Sequence, residues 1–497
     1  MKLESTGAFI CALLVTTTAH ADLTVSTNAT QGVSCASGVC KATAKVAVLN
    51  VNDLANLLVA SNVTIHPGKK AKNIVFAAPL AWTSDYGLAL DSYESISIDS
   101  PIADSGAGSL ALTYNDGGSG GGNLSFFNAN ITFASLSNAL TINGNAYTLV
   151  GNVSSLAAGV AANPSGYFAL AQSYDVGQDG TYSSAPVGTQ LYGIFEGLGN
   201  TFSNLQVSEV QDGVANDGLF ASSDGSIRDI GLLNAQVSCT TTSNEAHGSA
   251  AGALVGDNAG AIWRSYATGA VSATFDSYIG GLVGRNRSQD AIITSSFADV
   301  SVSDTRYGGD DGGSEMGGLA GLNEENAQVV QSYATGSVTA NGAYETIGGL
   351  VGFDDEHGFI SQAYATGAVS VPDGSTLSDI GGLTGASDDG NFADSYSTGP
   401  VTVSGADCTG YDPCAGGLLG WDGTGGRELA HSYWDTDTSG ITNSNQGTGN
   451  ISHEHGITGM TTAQFQAGLP KGFNAKIWKE NAAINNGLPY LIANPPQ

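Results

Sequence analysis

One repeated phrase limits what this chain can fold into. GALVGDNAGAIWRSYATGAV, residues 252 to 271, returns as GGLVGFDDEHGFISQAYATGAV between Gly348 and Val369. Aligned on the Leu of Gly-x-Leu-x-Gly, the copies fall at Leu254, Leu282, Leu319, Leu350, Leu383 and Leu418, at intervals of 28, 37, 31, 33 and 35 residues. A weaker copy, GLFASSDGSIRDIGLLNAQVS, places Leu219 35 residues before Leu254. The second half recurs as SYATGAV, SSFADVSV, SYATGSV, AYATGAV, SYSTGPV and SYWDTDTSG. Each unit is therefore a constant core followed by an insert of variable length.

Within the core, short β-type runs are separated by Gly, Asn and Asp, with no long stretch of helical period. A unit this short cannot bury its apolar residues alone, but stacked units can place each Leu or Val on its counterpart in the next coil. Parallel coils ~4.8 Å apart make an all-β fold, a right-handed parallel β-helix, or solenoid, with variable loop inserts and a small C-terminal helical cap. Inserts such as Asp304 to Glu315 project from one corner. In Ser265–Val271, period 2 puts Ala267 and Val271 inside. Tyr266, Phe297, Tyr333, Tyr364, Tyr396 and Tyr433 then form a ladder on an outer face; the alternative puts the rings inside.

The segments divide as 1–21 (signal peptide), 22–215 (irregular N-terminal coils), 216–440 (regular repeats) and 441–497 (C-terminal cap). The signal reading rests on Lys2, the apolar run Ala8–Val15 and Ala19-His20-Ala21 before the mature chain. Asn52 to Ala60, with Leu54, Leu57 and Leu58, predicts a short helix over the N-terminal end. Thr461 and Gln464 predict a capping box and a helix ending near Gly468, with Trp478 and Pro489–Ile492 covering the last coil.

Charge narrows the partners. With 15 Lys+Arg against 45 Asp+Glu and a net charge of -30, the surface as a whole repels nucleic acid and anionic lipid. A hydrophobic content of 41% suffices for a core. No run of ~18–20 apolar residues follows the leader, so no transmembrane helix is expected. In an oxidising compartment Cys35 with Cys40, and Cys408 with Cys414, are disulfide candidates. Cys239 is left as a buried free thiol or an intermolecular partner.

The pattern GGLVG…N…G.I..SYATG.V resembles the GLUG motif of bacterial IgA-cleaving peptidases and filamentous-haemagglutinin-like surface proteins, in six copies from about Gly252 to Gly440. NIVFAAPLAWTSDYGLALDSYESISIDSPI and FEGLGNTFSNLQV resemble the passage that leads into such repeats. This resemblance implies a parallel β-helix at or beyond the cell surface, adhesin-like, binding an extracellular glycan or protein.

Catalytic signatures are sparse. His-Glu-x-x-His is absent, and His453-Glu454-His455 lacks its spacing. Asp310–Asp311, Asp354-Asp355-Glu356 and Asp388–Asp389 are acidic groups expected in the variable inserts, aligned along a loop edge. Asp435-Thr436-Asp437-Thr438-Ser439-Gly440 begins like a calcium loop but has Gln446 where a bidentate Glu is needed. Asp310, Asp311, Asp435 and Asp437 are therefore weak Ca²⁺ candidates, and no other cofactor is expected. The sequence reads as a secreted, non-catalytic ligand-binding protein, with a β-helical polysaccharide lyase or hydrolase as the alternative.

Overall fold

A computed structural model describes residues 21–496 apart from 118–120, 243–247, 275–276, 305–312, 342–344, 372–377, 404–414 and 424–428. The chain forms two compact units, one of residues 1–129 and 138–145, the other of residues 130–137 and 146–497. Residue 215 thus marks where the sequence becomes regular, not where a compact unit begins.

In the first unit each coil crosses successive parallel sheets. One is ordered Leu124–Phe126, Ile96–Ile98, Asn73–Phe76, Asp22–Ser26, Ala47–Asn50. Alternate residues point inward, so Leu23, Val25, Ile74, Phe76, Ile96 and Ile98 are buried in stacked rows. Helix α1, Val51–Ala60, forms as expected. The Asn50 side chain caps its N-terminus by accepting from the backbone of Asn52 and Asp53, while Val51, Leu54 and Leu58 are buried. The Val33–Ala36 and Val39–Ala42 strands make an antiparallel hairpin with Cys35 opposite Cys40, and these two form a disulfide. Cys408 and Cys414 lie outside the described residues.

The second unit is a parallel β-helix with four sheet faces. The row Ile262, Ile293, Val329, Ile360, Phe392 is in parallel register along one face, and all five are buried. Leu254, Leu282, Leu319, Leu350, Leu383 and Leu418 lie one per coil, fully enclosed. Each of the first five donates its N–H to the carbonyl of the Leu in the next coil at 2.8–3.0 Å. Backbones approach so closely here that a Cβ on Gly318 would run into the carbonyl oxygen of Gly349. The longest variable segments join the same two sheets, for example Thr241 to Ser249, Asp304 to Glu315 and Val371 to Asp379. That corner takes up most of the length variation.

Helix α2, Val153–Ala162, was not anticipated. Asn152 and Ser155 form its capping box, and Val153, Leu156 and Val160 join the core. Its Ala/Gly-rich sequence lacks the polar stripe that makes an amphipathic helix legible.

The aromatic ladder lies outside the coil interior. Ala267, Ala298, Ala334 and Ala365 belong to the internal core, whereas Phe297, Tyr333, Tyr364, Tyr396 and Tyr433 form a separate cluster. Consecutive rings from Tyr266 to Tyr396 stack at 4.7–5.1 Å and within 7° of parallel. The C-terminal segment covers them. Thr461 and Gln464 form the expected capping box of the one-turn helix α3, Thr462–Phe465. Trp478 and Leu491 do not close the last coil, however; with Phe465, Phe473 and Leu488 they pack along the side of the solenoid on the ring column. The Tyr396 hydroxyl donates to the Pro489 carbonyl at 2.5 Å, and the Asn494 side-chain amide donates to the Ser296 carbonyl at 3.1 Å. A lateral position satisfies an exposed apolar column that the end of a solenoid would have left bare.

Candidate functional site

Four residues after each repeat Leu stands Asn258, Asn286, Asn323, Asp354, Ser387 or Asp422. These side chains are buried and in register, and they form a polar ladder. The Asn258 amide donates to Asn286 at 2.8 Å, Asn286 to Asn323 at 2.8 Å, and Asn323 to the Asp354 carboxylate at 2.6 Å. Asn amides suit such a stack because each carries a donor and an acceptor. Asp354 interrupts it, since its second carboxylate oxygen has no hydrogen-bond partner. Burial, with a smaller contribution from the neighbouring Asp355 charge, holds its carboxyl well above the usual range.

Just beyond the ladder each coil turns a tight corner. Glu325, Asn326, Glu356, His357 and Asp389 adopt φ between 45° and 66°, closing the turns in the left-handed region. Ala327 N–H bonds the Glu324 carbonyl at 3.0 Å, and Gly358 N–H bonds that of Asp355 at 2.9 Å. Stacking these corners lines one open depression of about 610 Å³ with Glu325, Asn326, Asp355, Glu356, His357, Asp388 and Asp389. Upstream carboxylates are neutralised: Arg287 pairs with Asp257 at 2.8 Å, and Arg285 pairs with Glu324. Among the described residues, no Lys or Arg forms an ion pair with the five carboxylates of the depression.

The structure regroups the acidic residues expected on one loop edge. Asp355–Glu356 and Asp388–Asp389 do meet, but at a short corner and not in variable inserts. Asp354 is buried in the ladder. Asp310 and Asp311 lie outside the described residues. The signal for the ladder was present in the sequence as the fixed four-residue offset from Leu.

Asp435 and Asp437 hold a turn. Asp435 accepts from the Asp437 N–H at 2.9 Å and the Thr462 hydroxyl at 2.6 Å, and Asp437 accepts from the Thr462 N–H at 3.1 Å. Their oxygens fasten the start of helix α3. Among the described residues no group of three or more His, Cys, Asp or Glu converges as metal ligands. Cys239 is buried and unpaired, and burial, then Asp217, pushes its thiol up. His453 and His455 are exposed on either side of buried Glu454.

No family model and no curated protein matches the chain. Solved structures similar to it include one named IgA1 protease, at 17% identity and a TM-score of 0.38, covering 56% of this chain and 21% of that one. Another, named for an immunoglobulin A1 protease of Bacteroides ovatus, has the same identity and TM-score and covers 70% of this chain and 93% of that one. The chain thus spans about a fifth of the first structure's length. Because both bear a peptidase's name, the expectation of a non-catalytic chain is withdrawn. A likeness of this size assigns no activity, substrate or catalytic residue.

Proposed function

We propose that this protein is an exported, adhesin-like parallel β-helix whose acidic corner recognises an extracellular ligand. One observation carries the reading: five carboxylates, Glu325, Asp355, Glu356, Asp388 and Asp389, gather from successive coils without a Lys or Arg ion partner among the described residues. Carboxylates gathered on a rigid scaffold without a direct ion pair cost stability by self-repulsion and attract cationic groups. A basic segment of an extracellular protein fits this corner directly. The Cys35–Cys40 disulfide and the leader-like N-terminal sequence support export. The GLUG-like repeats support a surface setting. The test is binding of the mature chain to a panel of glycans and matrix proteins, with Ca²⁺ and with chelator. Saturable binding to a member of the panel supports the reading; none in either condition removes it.

A further inference from the structure

The first unit carries the opposite charge feature. Five of the fifteen Lys and Arg residues fall between Lys41 and Lys72, a stretch with a single acid, Asp53. Asp53 is held elsewhere, accepting from the Thr30 hydroxyl at 2.5 Å beside the start of α1. Lys72 pairs with Glu94 at 2.6 Å, and His66 with Asp91 at 2.8 Å. The other four lysines, Lys41, Lys45, Lys69 and Lys70, are exposed, and among the described residues none pairs with a carboxylate.

The fold gathers these four. The Val39–Ala42 strand pairs in parallel with Val63–His66, Lys41 opposite His66, so the turns that follow leave neighbouring strands. Lys41 lies in the first strand and Lys45 in the turn after it, while Lys69 and Lys70 lie in the turn after the second. Lys70 Nζ reaches the Thr43 carbonyl at 3.4 Å, which ties the two turns together, and Lys69 lies 5.9 Å from the centre of the Tyr93 ring.

We propose that Lys41, Lys45, Lys69 and Lys70 form a docking surface for one strand of an anionic polysaccharide. An extended polyanion presents negative groups in a row along two coils, whereas a small anion engages one or two ammonium groups. A planar anionic membrane or a nucleic-acid duplex would bring a dense negative surface against a chain of net charge -30. A second copy of this chain brings the same charge with it. A single glycan strand can follow the two turns alone.

The experiment measures binding of the full mature chain to immobilised heparin and polygalacturonate at two salt concentrations. K41E/K69E/K70E is compared with K471E/K476E/K479E, which makes the same change in net charge on exposed lysines of the C-terminal segment. Circular dichroism confirms that both variants are folded. Saturable binding to at least one glycan is expected, with about a tenfold or greater loss in the first variant, less than about a twofold loss in the second, and weakening by added salt. Equal losses in the two variants would overturn the proposal. So would no binding to either glycan at low salt, whether or not phosphatidylglycerol vesicles bind or the chain self-associates through these lysines. These results are distinguishable from failure of the acidic corner, which carries the opposite charge in the other unit.

Discussion

Replacing Asp354 with Asn should stabilise the repeat array, and the effect should grow with pH. In the native ladder the Asn323 amide donates to one Asp354 oxygen, while the other, fully buried, has no partner. Ser387 is its register partner in the next coil. In Asp354→Asn the new amide can donate to the Ser387 hydroxyl and continue the pattern of Asn258, Asn286 and Asn323. Supplying a partner to a buried orphan recovers about 1–3 kcal/mol. The sign with pH follows from the raised native carboxyl. Its stabilising protonated form is fully present below the unfolded value of about 3.9 and is lost as pH climbs toward the folded value. Asn has no such loss, so the gap between variant and wild type widens from mildly acidic to alkaline conditions. Because stability in a solenoid is local, the assay is hydrogen exchange of the amides from Leu350 to Ser361, alongside thermal unfolding at pH 4.5 and pH 8. A variant less stable than wild type at pH 8, or a gap that narrows as pH rises, would refute the ladder argument.

Other predictions test separate parts of the structure. Burial raises Asp379 to about 6, and burial together with Asp217 and Asp229 raises Glu209 and Glu196 respectively; because all are raised acids, the melting temperature should fall from pH 4.5 to pH 8, and a rise would contradict these assignments. Trp478 is 1% exposed and packs on Phe473 at 4.5 Å and Tyr396 at 5.8 Å; Trp478→Ala should cost the C-terminal segment about 3–5 kcal/mol, read as rapid proteolysis within residues 461–496 while the coils stay intact. Cys35 and Cys40 close a loop of sequence separation 5; replacing both with Ser should destabilise the first unit by at most about 2 kcal/mol and leave exchange in the repeats unchanged.

The coil architecture was legible because its period is written in residues that stack on themselves. Leu254 to Leu418 mark one residue per coil, and the Tyr column could be assigned to the outer face from two-residue alternation. Long-range packing was not legible in the same way. Nothing local to Trp478 or Pro489 says whether they cover the end of the solenoid or its side. That choice is made by the ring column, whose five buried members need apolar cover. Helix α2 was missed because Ala and Gly on its outer face hide the 3.6-residue period. The acidic groups were visible as residues but misassigned in space. Asp354 occupies the Asn position of the repeat, and that becomes clear only when the four-residue offset from Leu is read as a buried column. The lysine cluster was diluted by the overall charge, and only the parallel pairing of Val39–Ala42 with Val63–His66 brings its two turns together.

The central claim is that the acidic corner of the repeats is the recognition surface. Its most direct test is the affinity of the mature chain for whichever panel ligand it binds, measured after neutralising Asp355, Glu356, Asp388 and Asp389 together. The control neutralises the exposed Asp85, Asp212, Asp290 and Asp299, with the same change in net charge. The account predicts about a tenfold or greater loss for the corner variant and little change for the control. Equal losses, or an unchanged corner variant, would contradict it.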